Sequence, residues 1–158
     1  MIIFAIDPGP QRSAFVKYDA DSKTIYGHDI IENSDMLGLI EKLPNCQHIA
    51  IEMIASMGMA VGQTVFETCV WIGRFTQAAD GEVSRIYRSE VKMYLCGNMR
   101  AKDSNIRQAL LDKFGPGREA AIGKKKTPGP LYGISKHKWA ALAVAITYAE
   151  DPLQIAKR

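Results

Sequence analysis

The stretch that decides the fold is residues 2–9, which read IIFAIDPG. Its five apolar residues, rich in isoleucine, predict a short buried strand. Asp7 follows the strand directly, and the next two residues, proline and glycine, predict a turn. Residues 48–52, HIAIE, repeat this pattern, because they predict a strand that is apolar until it ends at Glu52. The sequence therefore predicts two strands that end in a carboxylate.

These two carboxylates suggest a metal site. The carboxyl ends of neighbouring strands line the crevice where α/β sheets bind ligands, so Asp7 and Glu52 are expected within reach of one shared ion. Their hard oxygen atoms suit Mg²⁺ or Mn²⁺, and such ions activate water and stabilise the leaving oxygen in phosphodiester hydrolysis. The spacing leaves an alternative open, in which Asp7 only begins a turn and Glu52 lies exposed at a strand end.

The rest of the pattern predicts a mixed sheet of five strands flanked by helices, an α/β three-layer domain. The further strands are expected at residues 14–18, 24–31 and 83–87. The helices are expected to begin at Ser34, Gly62, Ser89, Asp103 or Ser104, and Ser135. Residues 115–133 hold three prolines, five glycines and three consecutive lysines, so they are predicted to form a flexible basic loop.

Composition indicates an ordinary globular protein. The chain has 158 residues, of which 47% are hydrophobic and 23% charged, so one domain over residues 1–158 is expected. No apolar run approaches the roughly 20 residues of a membrane span, and the first residues lack the basic region of a signal peptide. Three scattered cysteines, without metal-ligand spacing, favour a reducing cytoplasm. They are Cys46, Cys69 and Cys96.

Charge is distributed unevenly along the chain. Residues 1–84 hold five Lys and Arg against eleven Asp and Glu, a net charge of −6. Residues 85–138 hold thirteen against four, a net charge of +9. A basic segment beside a carboxylate-rich pocket is the pattern expected of a protein that binds an anionic polymer. The alternative is an ordinary lysine-rich surface.

Four segments resemble, in the same order, those of the RuvC-type Holliday-junction resolvases, which have a ribonuclease H-like fold. They are residues 3–9, 49–52, 88–92 with 102–110, and 137–145. Looser details suggest a bacteriophage branch of this family, which would place the protein in the host-cell cytoplasm. The resemblance implies a Mg²⁺-dependent homodimer, with Mn²⁺ as a substitute, that binds four-way or branched DNA and nicks two strands.

The resemblance also assigns site residues. It carries the first two catalytic carboxylates of the family onto Asp7 and Glu52. The last helix of the family presents an acid or a histidine and, three residues later, an aspartate. Here these positions hold His137 and Ala140, so His137 is the expected third ligand and the usual fourth ligand is replaced by alanine.

Three interpretations of Ala140 remain open. In the first, the site uses His137 and another acid, for which Asp103 is the nearest candidate. In the second, the chain is an inactivated variant, and in the third it binds junctions without cutting them. Against the first stand two simpler assignments, in which His137 is a helix-terminal histidine without a partner and Asp103 is an ordinary helix cap.

Basic residues are expected to bind the DNA. As phosphate contacts they would position the duplex arms without reading bases. Lys102 is also a candidate for stabilising the charge that develops at the scissile phosphate. The DNA-binding candidates are Lys92, Arg100, Lys102, Arg107, Lys124, Lys125 and Lys126, the last three of which could instead be a solvated loop.

Two apolar segments complete the prediction. Related resolvases carry an aromatic wedge after the second acidic strand, where this chain has Met57 and Met59. These methionines are candidates for a softer wedge, with core packing as the alternative. Residues 62–79 predict a helix that is apolar on more than one face, which suggests a dimer interface.

Three functions therefore compete. The first is an endonuclease in which Asp7, Glu52 and His137 hold one or two Mg²⁺ ions. The second is a non-cleaving protein that recognises branched DNA by its shape, a reading that Ala140 keeps open. The third is half of a sugar-kinase or actin-like ATPase, which also begins with a strand and an aspartate. It ranks last, because the chain is short for two lobes and has no glycine-rich phosphate turn after Asp7.

Overall fold

The sheet is built around its first strand. The computed structural model describes residues 1–44, 48–56, 58 and 60–157. The first five strands are β1 (Ile2–Asp7), β2 (Arg12–Asp19), β3 (Thr24–Glu32), β4 (His48–Met53) and β5 (Val83–Tyr87). They lie in the order β3-β2-β1-β4-β5. β2 is antiparallel to β1 and β3, whereas β1, β4 and β5 run parallel. The predicted mixed five-stranded sheet is therefore confirmed.

Helices cover both faces of this sheet. They are α1 (Asn33–Ile40), α2 (Gln63–Ala78), α3 (Arg88–Cys96), α4 (Asp103–Phe114), α5 (Arg118–Ile122), α6 (Lys138–Glu150) and α7 (Pro152–Ile155). Because side chains alternate along a strand, β1 contributes to two cores. Phe4 and Ile6 pack with α1 and α2, while Ile3 and Ala5 pack with α4 and α6. The result is the predicted three-layer arrangement.

Residues 115–133 form more structure than a loop. They contain α5 and a short hairpin of β6 (Gly123–Lys124) and β7 (Thr127–Pro128). Ala121 and Leu131 are fully buried, and the Leu131 N–H donates to the Ala121 carbonyl at 2.8 Å. A Cβ on Gly129 would lie 2.5 Å from that carbonyl oxygen, so this glycine permits a close approach of the backbone. The prediction of an irregular loop was wrong, because two buried residues hold these short elements in place.

Four helices begin one or two residues away from the predicted caps. In two of them a side chain in the first turn accepts a hydrogen bond from the N-cap backbone. Glu90 accepts from the Tyr87 N–H at 2.7 Å, and Asn105 accepts from the Lys102 N–H at 2.9 Å. The observed N-caps are Glu32, Tyr87, Lys102 and His137.

Two further sequence expectations concern the whole chain. Across the described ranges, no helix is both long enough and apolar enough to cross a membrane. Cys69 and Cys96 are free thiols, each half-buried. Cys46 lies outside the described residues.

Candidate active site

Asp7 and Glu52 come together at the carboxyl ends of two parallel strands. Ile6 of β1 lies opposite Ile51 of β4 in the register, so the next residue of each strand is the acid. Both side chains are largely buried, with 15% of Asp7 and 9% of Glu52 exposed. Burial and the neighbouring Glu52 charge raise the pKa of Asp7 to about 8. Without a compensating cation, Asp7 therefore holds a proton at neutral pH.

A buried polar network fixes the turn that follows Asp7. The Gly9 N–H donates to Ser13 Oγ at 3.2 Å, and Ser13 Oγ donates to Asn33 Oδ1 at 2.6 Å. Asn33 Nδ2 closes the ring by donating to the Gly9 carbonyl at 2.9 Å. A Cβ on Gly9 would lie 2.3 Å from the Arg12 carbonyl oxygen, so the turn requires glycine. The network holds the end of β1, and with it Asp7, in one position.

His137 joins this pair from the start of α6. Its Nδ1 lies 3.1 Å from Asp7 Oδ2, and 76% of its side chain is exposed. Ala140, one helical turn further on, lines the same cavity. The structure thus brings Asp7, Glu52 and His137 together, and it places the alanine beside them.

Arg88 is a site residue that the sequence pattern did not single out. Its Nη1 lies 3.0 Å from Glu52 Oε1, and its Nη2 donates to Asp103 Oδ1. Arg88 is the first residue of α3 and follows β5, the parallel neighbour of β4. Three adjacent parallel strands therefore each deliver a charged residue to one point. The signal in the sequence was a charged residue directly after a third strand, in a segment noted only for its family resemblance.

The carboxylate pair fits a hard divalent cation. Such ions are commonly held by one or two carboxylates and keep several waters. Asp7 and Glu52 supply two nearly buried carboxyl groups with His137 beside them. Asp103 is instead 79% exposed and paired with Arg88. Within the described ranges, no group of three or more His, Cys, Asp or Glu side chains is arranged to hold a metal.

Two cavities meet at this point and share Asp7, Glu52 and Arg88. The larger, about 760 Å³, extends past His137 and Ala140 and is lined by further residues, including Ser104, Arg107, Lys136 and Trp139. The smaller, about 340 Å³, has an apolar wall and one lysine, formed by Met53, Ile54, Ala55, Met99 and Lys92. A bound polymer that extends through both cavities would therefore contact the two carboxylates near its middle.

The predicted DNA-binding residues lie at different distances from the site. Lys92 lines the smaller cavity, and Arg107 lines the larger one with its guanidinium 4.9 Å from the Trp139 ring centroid. Exposed residues that line neither cavity are Arg100, Lys102, Lys124, Lys125 and Lys126. Lys136, which the sequence pattern did not single out, is an exposed residue that lines the larger cavity and has a φ of +51°. Met57 and Met59 lie outside the described residues.

The comparisons with known proteins bear on the fold. No protein-family model matches the chain, and no curated protein matches it. A structure of Thermus thermophilus RuvC is 18% identical, covers 94% of this chain and 93% of its own, and has a TM-score of 0.64. A second, T. thermophilus RuvC in complex with Holliday junction substrate, is 15% identical with the same coverage and a TM-score of 0.62. This likeness confirms the predicted α/β fold, with a mixed five-stranded sheet flanked by helices. The bacteriophage branch stays a prediction.

Proposed function

We propose that this chain is a divalent-metal-dependent endonuclease that cuts Holliday junctions and related branched DNA. The observation that carries the proposal is the buried Asp7–Glu52 pair at adjacent strand ends, beside a cavity with basic walls. The RuvC-like fold supports it, and one of the similar structures is RuvC in complex with Holliday junction substrate. We assign one nuclease domain to residues 1–158. We also propose that the protein acts in a reducing cytoplasm, which agrees with its free thiols; this is the cytoplasm of the host cell if a bacteriophage encodes the protein.

In this proposal Asp7 and Glu52 hold Mg²⁺, or Mn²⁺ in its place, and His137, whose Nδ1 lies 3.1 Å from Asp7 Oδ2, is the third ligand. When bound, the ion supplies an activated water and stabilises negative charge on the phosphate. Asp7 must lose its proton for the ion to bind, because its pKa in the metal-free protein is about 8. Arg107 and Lys136 hold phosphates along the larger cavity.

The test of this function uses one labelled four-way junction and a linear duplex of the same sequence. Binding is measured by gel shift in Ca²⁺, and cutting on a denaturing gel in Mg²⁺ or Mn²⁺. We expect selective binding to the junction and paired nicks that Asp7→Asn abolishes. Equal affinity for the junction and the duplex would contradict the proposed substrate.

Ala140 favours a second candidate, a protein that binds branched DNA without cutting it. This residue lines the larger cavity together with Asp7 and Glu52, at the position where the family resemblance predicts an aspartate. Tight binding without nicks in either metal would support this candidate. Ala140→Asp then separates two cases, because nicking appears in a disabled nuclease and not in a protein that only binds.

We also propose that the chain forms a homodimer through α2. Phe66 and Val70, one helical turn apart, expose 60% and 62% of their surface on this helix. A two-fold dimer would present two equivalent sites to a junction of matching symmetry. We expect Phe66→Asp to convert the dimer into a monomer, measured as a halved mass by light scattering. Leu153→Asp, on an equally exposed residue of α7, should leave the mass unchanged, and a monomeric wild type would contradict the proposal.

Phosphate binding at the larger cavity gives a further prediction. Each of Arg107→Ala and Lys136→Ala should weaken junction binding and reduce the slope of log affinity against log salt by about 1. The measurement is a gel shift at several salt concentrations. Lys42→Ala, an exposed lysine just after α1, is the matched control and should change neither quantity. An unchanged slope in both cavity variants would show that DNA follows another path.

A further inference from the structure

The Arg88 guanidinium lies beside Glu52, at the point where the two cavities meet. Its guanidinium bridges Glu52 and Asp103, the only two carboxylates it is observed to pair with in the described part of the chain. It also lines both cavities together with Asp7 and Glu52. A fixed positive charge therefore lies inside the candidate metal site.

The available ligands suffice for one ion. Asp7 and Glu52 form the buried pair, whereas Asp103, which lines the same cavity, is 79% exposed and paired with Arg88. A second ion would need a further carboxylate. Asp103 of the same cavity is engaged by Arg88, and Ala140, which also lines the cavity, offers no ligand atom. The formal charges of Asp7, Glu52, Asp103 and Arg88 sum to −2, which one divalent cation would neutralise.

We propose that the site binds one divalent cation per chain, at Asp7 and Glu52, and that Arg88 supplies the positive charge that a second ion supplies in two-ion nucleases. This inference rests on the proposed function. Two-ion sites place a cation on each side of the phosphate that is cut. A guanidinium is suited to this role, because it keeps its charge and has five N–H donors, more than the contacts of Arg88 with Glu52 and Asp103 use. Arg88 thus contacts the scissile phosphate directly.

The first test is the number of Mn²⁺ ions bound by the DNA-free protein. Titration calorimetry should give one ion per chain, and electron paramagnetic resonance should show isolated Mn²⁺ without the signal of a coupled pair. Zero ions or two ions per wild-type chain would overturn the proposal.

Variants of Arg88 give the second test. Arg88→Met removes the charge that competes for Glu52, so Mn²⁺ should bind about tenfold more tightly. Arg88→Met combined with Ala140→Asp should bind two ions, whereas Arg88→Lys should still bind one. Arg85→Met, an exposed arginine on β5, is the matched control and should match the wild type. Unchanged Mn²⁺ affinity in Arg88→Met, or a single ion in the double variant, would contradict the role given to Arg88.

The two proposals fail in different ways. If the junction is neither preferred nor cut, the proposed function fails, while the Mn²⁺ count still reports on the site. If the junction is cut and two ions bind, only the inference about Arg88 fails. If the Arg88 charge acts on phosphate, Arg88→Lys should nick the junction at a tenth or more of the wild-type rate. Arg88→Met should lose at least a hundredfold in rate.

Discussion

Asp7→Asn should abolish nicking and at the same time stabilise the metal-free protein at pH 8. The loss of nicking is expected to be at least about 10³-fold, equivalent to about 4 kcal/mol of transition-state stabilisation. An amide cannot replace the anionic oxygen that binds a hard cation. The gain in stability follows because Asp7 is buried against Glu52, and the amide carries no charge to repel it.

The sign of the pH dependence follows from the raised pKa of Asp7. In the unfolded chain this group titrates near 3.8, and in the folded chain near 8. Between these values the folded protein holds a proton that the unfolded protein has lost. The free energy of unfolding of the wild type therefore falls as pH rises from about 4 to about 8. Asp7→Asn escapes this loss, so its advantage at pH 8 should be about 2 to 4 kcal/mol.

Urea unfolding in EDTA at pH 5 and at pH 8 measures this effect. The variant and the wild type should be close in stability at the lower pH and well separated at the higher one. Asp80→Asn, an exposed aspartate after α2, is the control and should show no such separation. Equal stability of Asp7→Asn and the wild type at pH 8 would mean that burial beside Glu52 does not destabilise the ionised Asp7 carboxylate.

The sequence predicted the acidic pair because the information is local. Asp7 and Glu52 each follow a short apolar strand, and two parallel strands with aligned ends bring the acids together without further help. His137 was found only through the resemblance of its segment, since its contact with Asp7 joins residues 130 positions apart. The pairing of these two strand ends can therefore be predicted from the sequence. A contact between distant segments, such as His137 with Asp7, can be identified only once the fold is known.

Arg88 could not be predicted in its role for the same physical reason. From sequence, an arginine at the start of a helix is expected to be exposed to solvent. Arg88 reaches Glu52 only because β5 pairs in parallel with β4. Residues 115–133 were misread in a related way. Their glycines and prolines favour a loop, but the burial of Ala121 and Leu131 against the other elements decides their structure.

Arg88→Met should destabilise the metal-free protein. Removing one partner of a largely buried ion pair leaves the other charge uncompensated. Glu52 is 9% exposed and would then face Asp7 without a cation. Because Arg88 keeps 34% of its side chain in contact with solvent, the expected loss is about 1 to 3 kcal/mol. Urea unfolding in EDTA at pH 8 measures it, and Mn²⁺ should restore most of the lost stability.

A double-variant cycle with Asp7→Asn identifies the cause of this loss. If Arg88 stabilises the fold by offsetting the repulsion between Glu52 and Asp7, the loss from Arg88→Met should shrink by about 1 to 2 kcal/mol once Asp7 is an amide. If Arg88 acts only through its packing, the loss should be the same in both backgrounds. Arg85→Met should be neutral in each background. A clear coupling would mean that the charges which make the site able to bind a cation also destabilise the metal-free fold.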